Sequence, residues 1–163
     1  MLIQLKNKDT LHFDDFLFRC AIGKKGISSK KLEGDFCTPK GIFSIKYLYY
    51  RTDRIKKPET KIIVKKLKKN MGWCNDPKSK KYNSLVKIKE KIRHEKIYRR
   101  DHKYDIVIVI DYNLKKPTPY KGSAIFIHLT KNYKPTAGCI ALKKKDLLIL
   151  LKIINKKTKI KIN

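Results

Sequence analysis

Two stretches, YDIVIVIDY from Tyr104 to Tyr112 and SAIFIHL from Ser123 to Leu129, are nearly unbroken runs of β-branched and aromatic residues. Runs this short and this apolar fit central strands buried on both faces, so the fold must be organised around a sheet. MLIQL, FLFRCAIG, GIFSIKYLYY and TKIIVKKL add shorter strands, each bounded by turn-forming residues. Between the two apolar runs, NLKKPTPYKG carries two prolines and a glycine and reads as a loop. The clearest helix is KKKDLLILLKIINKK, with Leu147, Leu148, Leu150, Leu151 and Ile154 on its apolar side. A second short helix is expected in IRHEKIYRR, and the alternating tail TKIKI is expected to close a sheet edge. The segment from Lys65 to Asp105 is more polar and holds the only tryptophan, in MGWCNDPKSKKYN. No internal repeat or linker divides the chain, so residues 1–163 are expected to form one mainly β domain.

The charge is extreme: 42 Lys and Arg against 14 Asp and Glu leave +28. Such a field draws anionic polymers at long range. The basic set, however, is 36 Lys and only 6 Arg, spread along the whole chain. Arginine is the residue that makes planar, bidentate phosphate contacts. The charge therefore reads first as solvated surface, with a basic nucleic-acid-binding β module as the contrasting class. No specific nucleic acid is expected as a partner.

Cys20, Cys37, Cys74 and Cys139 form no CxxC pair, which leaves a zinc ribbon or a thioredoxin-like site unsupported. His94 and His102 have no cysteine at ligand spacing, so no metal is expected. The start MLIQLKNKDTLHF alternates as a strand does and has no apolar h-region, so no signal peptide is read. No apolar run approaches a membrane span, and the chain is expected to be soluble.

One segment stands apart from this lysine-rich background. In HLTKNYKPTAGCIAL, Cys139 directly follows Gly138, and residues Pro135 to Leu142 carry no charge. A cysteine after a glycine, at a turn into a strand, can offer backbone N–H groups to a developing oxyanion. His128, at the end of an apolar strand, could meet that thiol at the sheet rim as general base. By themselves these residues fit a packing cysteine and an unrelated histidine better than a site.

The same segment resembles the signature of the L,D-transpeptidase catalytic domain (YkuD-type) family: an upstream histidine followed by a Ser/Thr-x-Gly-Cys box, here Thr136, Gly138 and Cys139. KLEGDFCTPKGIFSI resembles that family's N-terminal Gly-x-x-Thr-Pro-x-Gly-x-Phe segment through Gly34, Thr38, Pro39, Gly41 and Phe43. GWCNDPKSKKYN and YDIVIVIDYN resemble one bacterial branch of it, so the similarity spans nearly the whole chain. There are departures. Ala137 stands where most members have histidine, Ile140-Ala141-Leu142 replaces a common Ile-Arg, and the His-to-Cys spacing is shorter.

The resemblance implies a β-sandwich with a C-terminal helix and one or two short helices. It also implies a peptidoglycan enzyme that needs no metal or organic cofactor. Cys139 would attack a stem-peptide carbonyl with help from His128. An amine on a second stem would then attack the thioester to form a cross-link, and water in its place would give carboxypeptidase or endopeptidase activity. The oxyanion would lie against the N–H groups of Gly138 and Cys139, and His128 would be oriented by a main-chain carbonyl. Such a substrate implies the periplasm or cell envelope, while the unseen signal peptide leaves the cytoplasm open. The changed Ala137 keeps an inactive, peptidoglycan-binding relative in view.

Trp73, Tyr82, Asn83, Asn113 and Thr136 are the expected substrate-facing residues, with packing and turn chemistry as the plainer alternative for the first four. Cys74 lacks a glycine box and reads as packing. Gly34 and Gly41 read as turns around Thr38-Pro39, and Asp101 and Asp105 as surface partners of lysines.

Overall fold

A computed structural model describes residues 1–89 and 91–163. In chain order its first strands are β1 (Leu2–Lys6), β2 (Thr10–Phe13), β3 (Phe16–Ala21), β4 (Ile27–Ser28), β5 (Thr38–Pro39), β6 (Gly41–Tyr50) and β7 (Ile63–Lys66). There follow β8 (Met71–Cys74), β9 (Leu85–Lys87), β10 (His94–Lys96), β11 (Ile106–Ile110), β12 (Phe126–Leu129) and β13 (Ile140–Leu142). The helix α1 (Lys144–Ile153) and β14 (Lys159–Ile162) complete the chain.

The large sheet runs β11-β12-β13-β3-β2-β1-β14-β6-β7, and β6 also pairs with β11. That extra pairing closes the sheet into a ring. The ten-residue β6 makes it possible: Gly41–Ser44 pair with β14, and Ile45–Tyr50 pair with β11. The result is a mainly β fold built on this ring. Its interior is filled from alternate positions, including Ile3, Leu5, Leu11, Phe13, Leu48, Ile127 and Ile160. Helix α1 caps this interior with Leu147, Leu150 and Leu151, all fully buried, at the i, i+3, i+4 spacing of one helix face. Asp146 in its first turn and Lys152 in its last complement the helix dipole.

β11 shows why its sequence is apolar at every position. Ile106, Ile108 and Ile110 enter the ring's core, while Val107 and Val109 face outward into a second core. β12 divides the same way, Ile127 and Leu129 inward, Phe126 and His128 outward. The outer face is covered by the polar insert, whose β10-β8-β9 sheet supplies Trp73 against Phe126, ring centroids 5.0 Å apart and edge to face.

Two sequence expectations are corrected and a third is extended. IRHEKIYRR holds no helix: His94–Lys96 form β10, and α1 is the only helix among the described residues. The pairing is favoured because Gly72 lies under the His94 ring, where a Cβ would approach Cδ2 to 2.5 Å. TKIKI closes two edges rather than one, lying between β1 and β6 with Ile160 and Ile162 buried. Asp105 is buried rather than on the surface, and its carboxylate accepts from Arg54 Nη1 at 3.1 Å. Among the described residues no helix is long and apolar enough to cross a membrane.

Candidate active site

Parallel pairing of β12 with β13 sets Ile127 opposite Ile140 and His128 opposite Ala141. Cys139, just before β13, is thereby level with Phe126, whose N–H donates to Cys139 Sγ at 3.4 Å. His128 is two residues further along β12 on the same outward face, one strand repeat from that contact. Both side chains line one cavity of about 410 Å³ between the outer face of the ring and the insert.

The turn carrying Cys139 is tied at each step. Thr136 Oγ1 donates to the Cys139 carbonyl at 2.6 Å and accepts the Gly138 N–H at 3.1 Å. Gly138 has φ +142, and a Cβ there would lie 2.8 Å from the Cys37 carbonyl oxygen, so only glycine fits. Thr136 is anchored in turn by Gly23 through a parallel bridge, and the Gly23 N–H donates to the buried Thr38 Oγ1 at 2.9 Å. The Thr-Pro segment thus supports the cysteine turn from beneath.

The thiol itself donates to the Ala124 carbonyl at 3.1 Å. Ala124 sits at φ +53, and its N–H donates to Asn83 Oδ1 at 3.0 Å. Burial pushes the Cys139 thiol up to about 12, the Glu95 carboxylate adds to the rise, and the Phe126 N–H opposes it. Burial pulls His128 down to about 4, against the favourable hydrogen bond to the Leu129 carbonyl. That carbonyl is 2.9 Å from Nδ1. A carbonyl only accepts, so Nδ1 carries the proton and Nε2 keeps its lone pair. Near neutral pH the site holds a neutral thiol and a neutral imidazole able to act as base.

The family model for the L,D-transpeptidase catalytic domain (YkuD) matches residues 3–162. The chain belongs to that family. No curated protein and no solved structure matches it significantly.

Within this L,D-transpeptidase domain the expected substrate-facing residues fall into two groups. Thr136 lines the cavity with Cys139 and His128. Trp73, Tyr82, Asn83 and Asn113 stand behind its wall. The Trp73 indole N–H donates to Asn83 Oδ1 at 2.9 Å, and Asn83 Nδ2 donates to the carbonyls of Tyr112 and Asn113. Tyr82 donates to Glu33 at 2.5 Å, and Asn113 braces the loop at Thr118 and Gly122. Among the described residues no cluster of His, Cys, Asp or Glu could hold a metal ion. Cys20 and Cys74 are buried, Cys37 is partly exposed, and all four cysteines are free thiols.

Sequence reasoning missed Asn75, Glu95 and Tyr104, which the insert brings to the same cavity. The Tyr104 hydroxyl donates to Glu95 Oε1 at 2.5 Å, and its ring meets the His128 ring edge-on at 5.0 Å between centroids. Burial raises the Glu95 carboxyl above its usual range. Lys103, Lys131 and Lys134 give the cavity a cationic rim, while Arg99 and the buried Lys31 line it already paired with Asp101 and Asp35. Ala137 and Ala141, which stand at two of the departures from the family pattern, also line it.

Proposed function

We propose that this L,D-transpeptidase domain acts on peptidoglycan stem peptides through a thioester on Cys139. The observation that carries the reading is that Cys139 and His128 line one cavity, with Nδ1 of His128 committed to the Leu129 carbonyl. His128 Nε2 takes the thiol proton as sulfur attacks the carbonyl carbon, and returns a proton to the leaving amine. Proton transfer accompanies attack, because burial disfavours a standing thiolate. The Phe126 N–H, already on the sulfur, stabilises charge as it develops. We assign the developing oxyanion to the Cys139 N–H. The Gly138 N–H joins it only if it leaves Thr136 Oγ1.

The cationic rim suits a donor rich in carboxylates, as stem peptides are. An amine from a second stem then resolves the thioester into a cross-link, and water resolves it into a trimmed stem. Ala137 and Ala141 leave the walls small where the family usually places larger polar groups. A substrate of this kind places the working protein in the cell envelope. Incubation with purified muropeptides, with products read by mass, tests the proposal. Cross-linked or trimmed products that vanish in Cys139→Ala support it. No product at all, from a protein that fractionates strictly with cytoplasm, moves the reading to a polyanion-binding module.

A further inference from the structure

The cavity contains a carboxylate that the thiol–imidazole pair does not use. Glu95 is opposite Trp73 in the β10–β8 pairing, which turns its side chain to the covered face of the small sheet. Among the described residues its carboxylate accepts one hydrogen bond, from Tyr104, and no ion pair includes it. Arg99, the cation whose field reaches it, is committed to Asp101 through Nε at 2.9 Å and Nη2 at 2.7 Å. A sheltered carboxylate without a cation is costly to keep.

A second observation points the same way. Asn75 continues β8 two residues past Trp73, so it projects from the same face, diagonal to Glu95. Its Oδ1 is buried with no hydrogen-bond partner, and it lines the same cavity. Two acceptors, one anionic and one neutral, therefore converge on one part of a cleft otherwise rimmed by cations. That pattern suits a group with several N–H donors and a positive charge. The other lining carboxylate, Glu33, is occupied by Tyr82. The field of Glu95 also reaches the Cys139 sulfur, and its partner Tyr104 packs on His128.

We infer that Glu95 and Asn75 form the acceptor-amine site, in which Glu95 binds a primary ammonium and takes its first proton for attack on the Cys139 thioester. This rests on the thioester reading above. The acceptor enters as an ammonium with three N–H bonds. One proton passes to the Glu95 carboxylate, and the freed nitrogen lone pair forms the new C–N bond. As the tetrahedral species collapses, the C–S bond breaks, and a second proton moves from nitrogen through His128 Nε2 to the sulfur. The products are the amide, the Cys139 thiol and a protonated Glu95, which loses its proton to water. Tyr104 is a positioning residue that holds Glu95 Oε1 toward the cleft.

The test uses the full chain with a purified disaccharide-tetrapeptide as both donor and acceptor. Intact-protein mass follows acylation of Cys139, and product masses give the ratio of cross-linked dimer to hydrolysed tripeptide. Glu95→Gln keeps the shape, and its dimer-to-hydrolysis ratio, read on protein already acylated at Cys139, is expected to fall at least tenfold. Asn75→Ala and Tyr104→Phe are expected to lower the same ratio by smaller factors. An unchanged ratio in Glu95→Gln overturns the inference and leaves the thioester standing. A parent protein that forms no acyl adduct rejects the thioester reading and this assignment with it.

Discussion

Ala124 directs its carbonyl onto the Cys139 sulfur at 3.1 Å from a left-handed backbone, φ +53. A non-glycine residue there costs on the order of 1 kcal/mol. It is held by Asn83, which accepts the Ala124 N–H. We predict that Ala124→Val destabilises the fold by about 1–2 kcal/mol, because a β-branched residue tolerates this region worst. Ala124→Gly should fold well but acylate more slowly, since the thiol's acceptor is then less fixed. Urea midpoints and the rate of acyl-adduct formation check both outcomes.

Asn83→Ala is predicted to act through the same carbonyl. It removes the acceptor for Trp73 Nε1 and the Ala124 N–H, and the donor to two loop carbonyls. At about 0.5–1.5 kcal/mol for each net hydrogen bond, a loss of roughly 2–6 kcal/mol is expected. A stability change below about 0.5 kcal/mol would show that Ala124 is held by something else.

Cys139, the proposed nucleophile, should be slow toward a simple alkylating agent. Cys139 is buried and its thiol is pushed up to about 12, as is that of Cys20. Cys37 is partly exposed. Iodoacetamide at pH 7.5 on native protein should therefore mark Cys37 first, with Cys139 labelled only slowly or after unfolding. Peptide mapping of a time course decides this. Rapid, selective labelling of Cys139 would mean that the resting site already holds a thiolate.

Acid should weaken the fold through His128. In the unfolded chain this imidazole takes its proton at its ordinary value of 6.5, but in the folded chain only at about 4. The unfolded state thus binds the proton first, and stability falls as pH drops through that window. The contribution is fully present above pH 6.5, and about 3 kcal/mol of it is lost by pH 4. His128→Gln should show a shallower decline than the parent between pH 7 and 4.5. Parallel curves would remove His128 as the cause.

Gly138→Ala should cost both stability and acylation, since its Cβ would meet the Cys37 carbonyl at 2.8 Å in a backbone that L side chains avoid. The loss is expected to exceed about 1 kcal/mol by urea unfolding. Wild-type stability and activity in this variant would show that the turn is looser than its hydrogen bonds imply.

Local patterns made part of this architecture readable. The runs in β11 and β12 are apolar at every position because each side of those strands meets a core, and α1 carries its burial face at helical spacing. The cysteine box was legible as an ordered motif. Glu95, Asn75 and Tyr104 were not, because the insert reaches the cavity only through the β8–β10 register, which no local spacing encodes. Glu95 gave one faint signal, as one of few acids in a chain at +28. The second neighbour of TKIKI was hidden for the same reason: alternation announces a strand but not its neighbours.

The position of β14 governs how the chain can assemble. β14 is parallel to β1, with Leu2 opposite Lys159, so the seam of the ring joins segments from opposite ends of the sequence. Until residues 159–162 arrive, β1 and the first half of β6 each present an unsatisfied row of amides and carbonyls, the kind of edge on which a second chain can dock. Closure over so long a loop is slow. During that interval the +28 charge carried by every copy opposes the approach of another, so the lysines that obscure the protein's function also guard its unfinished seam.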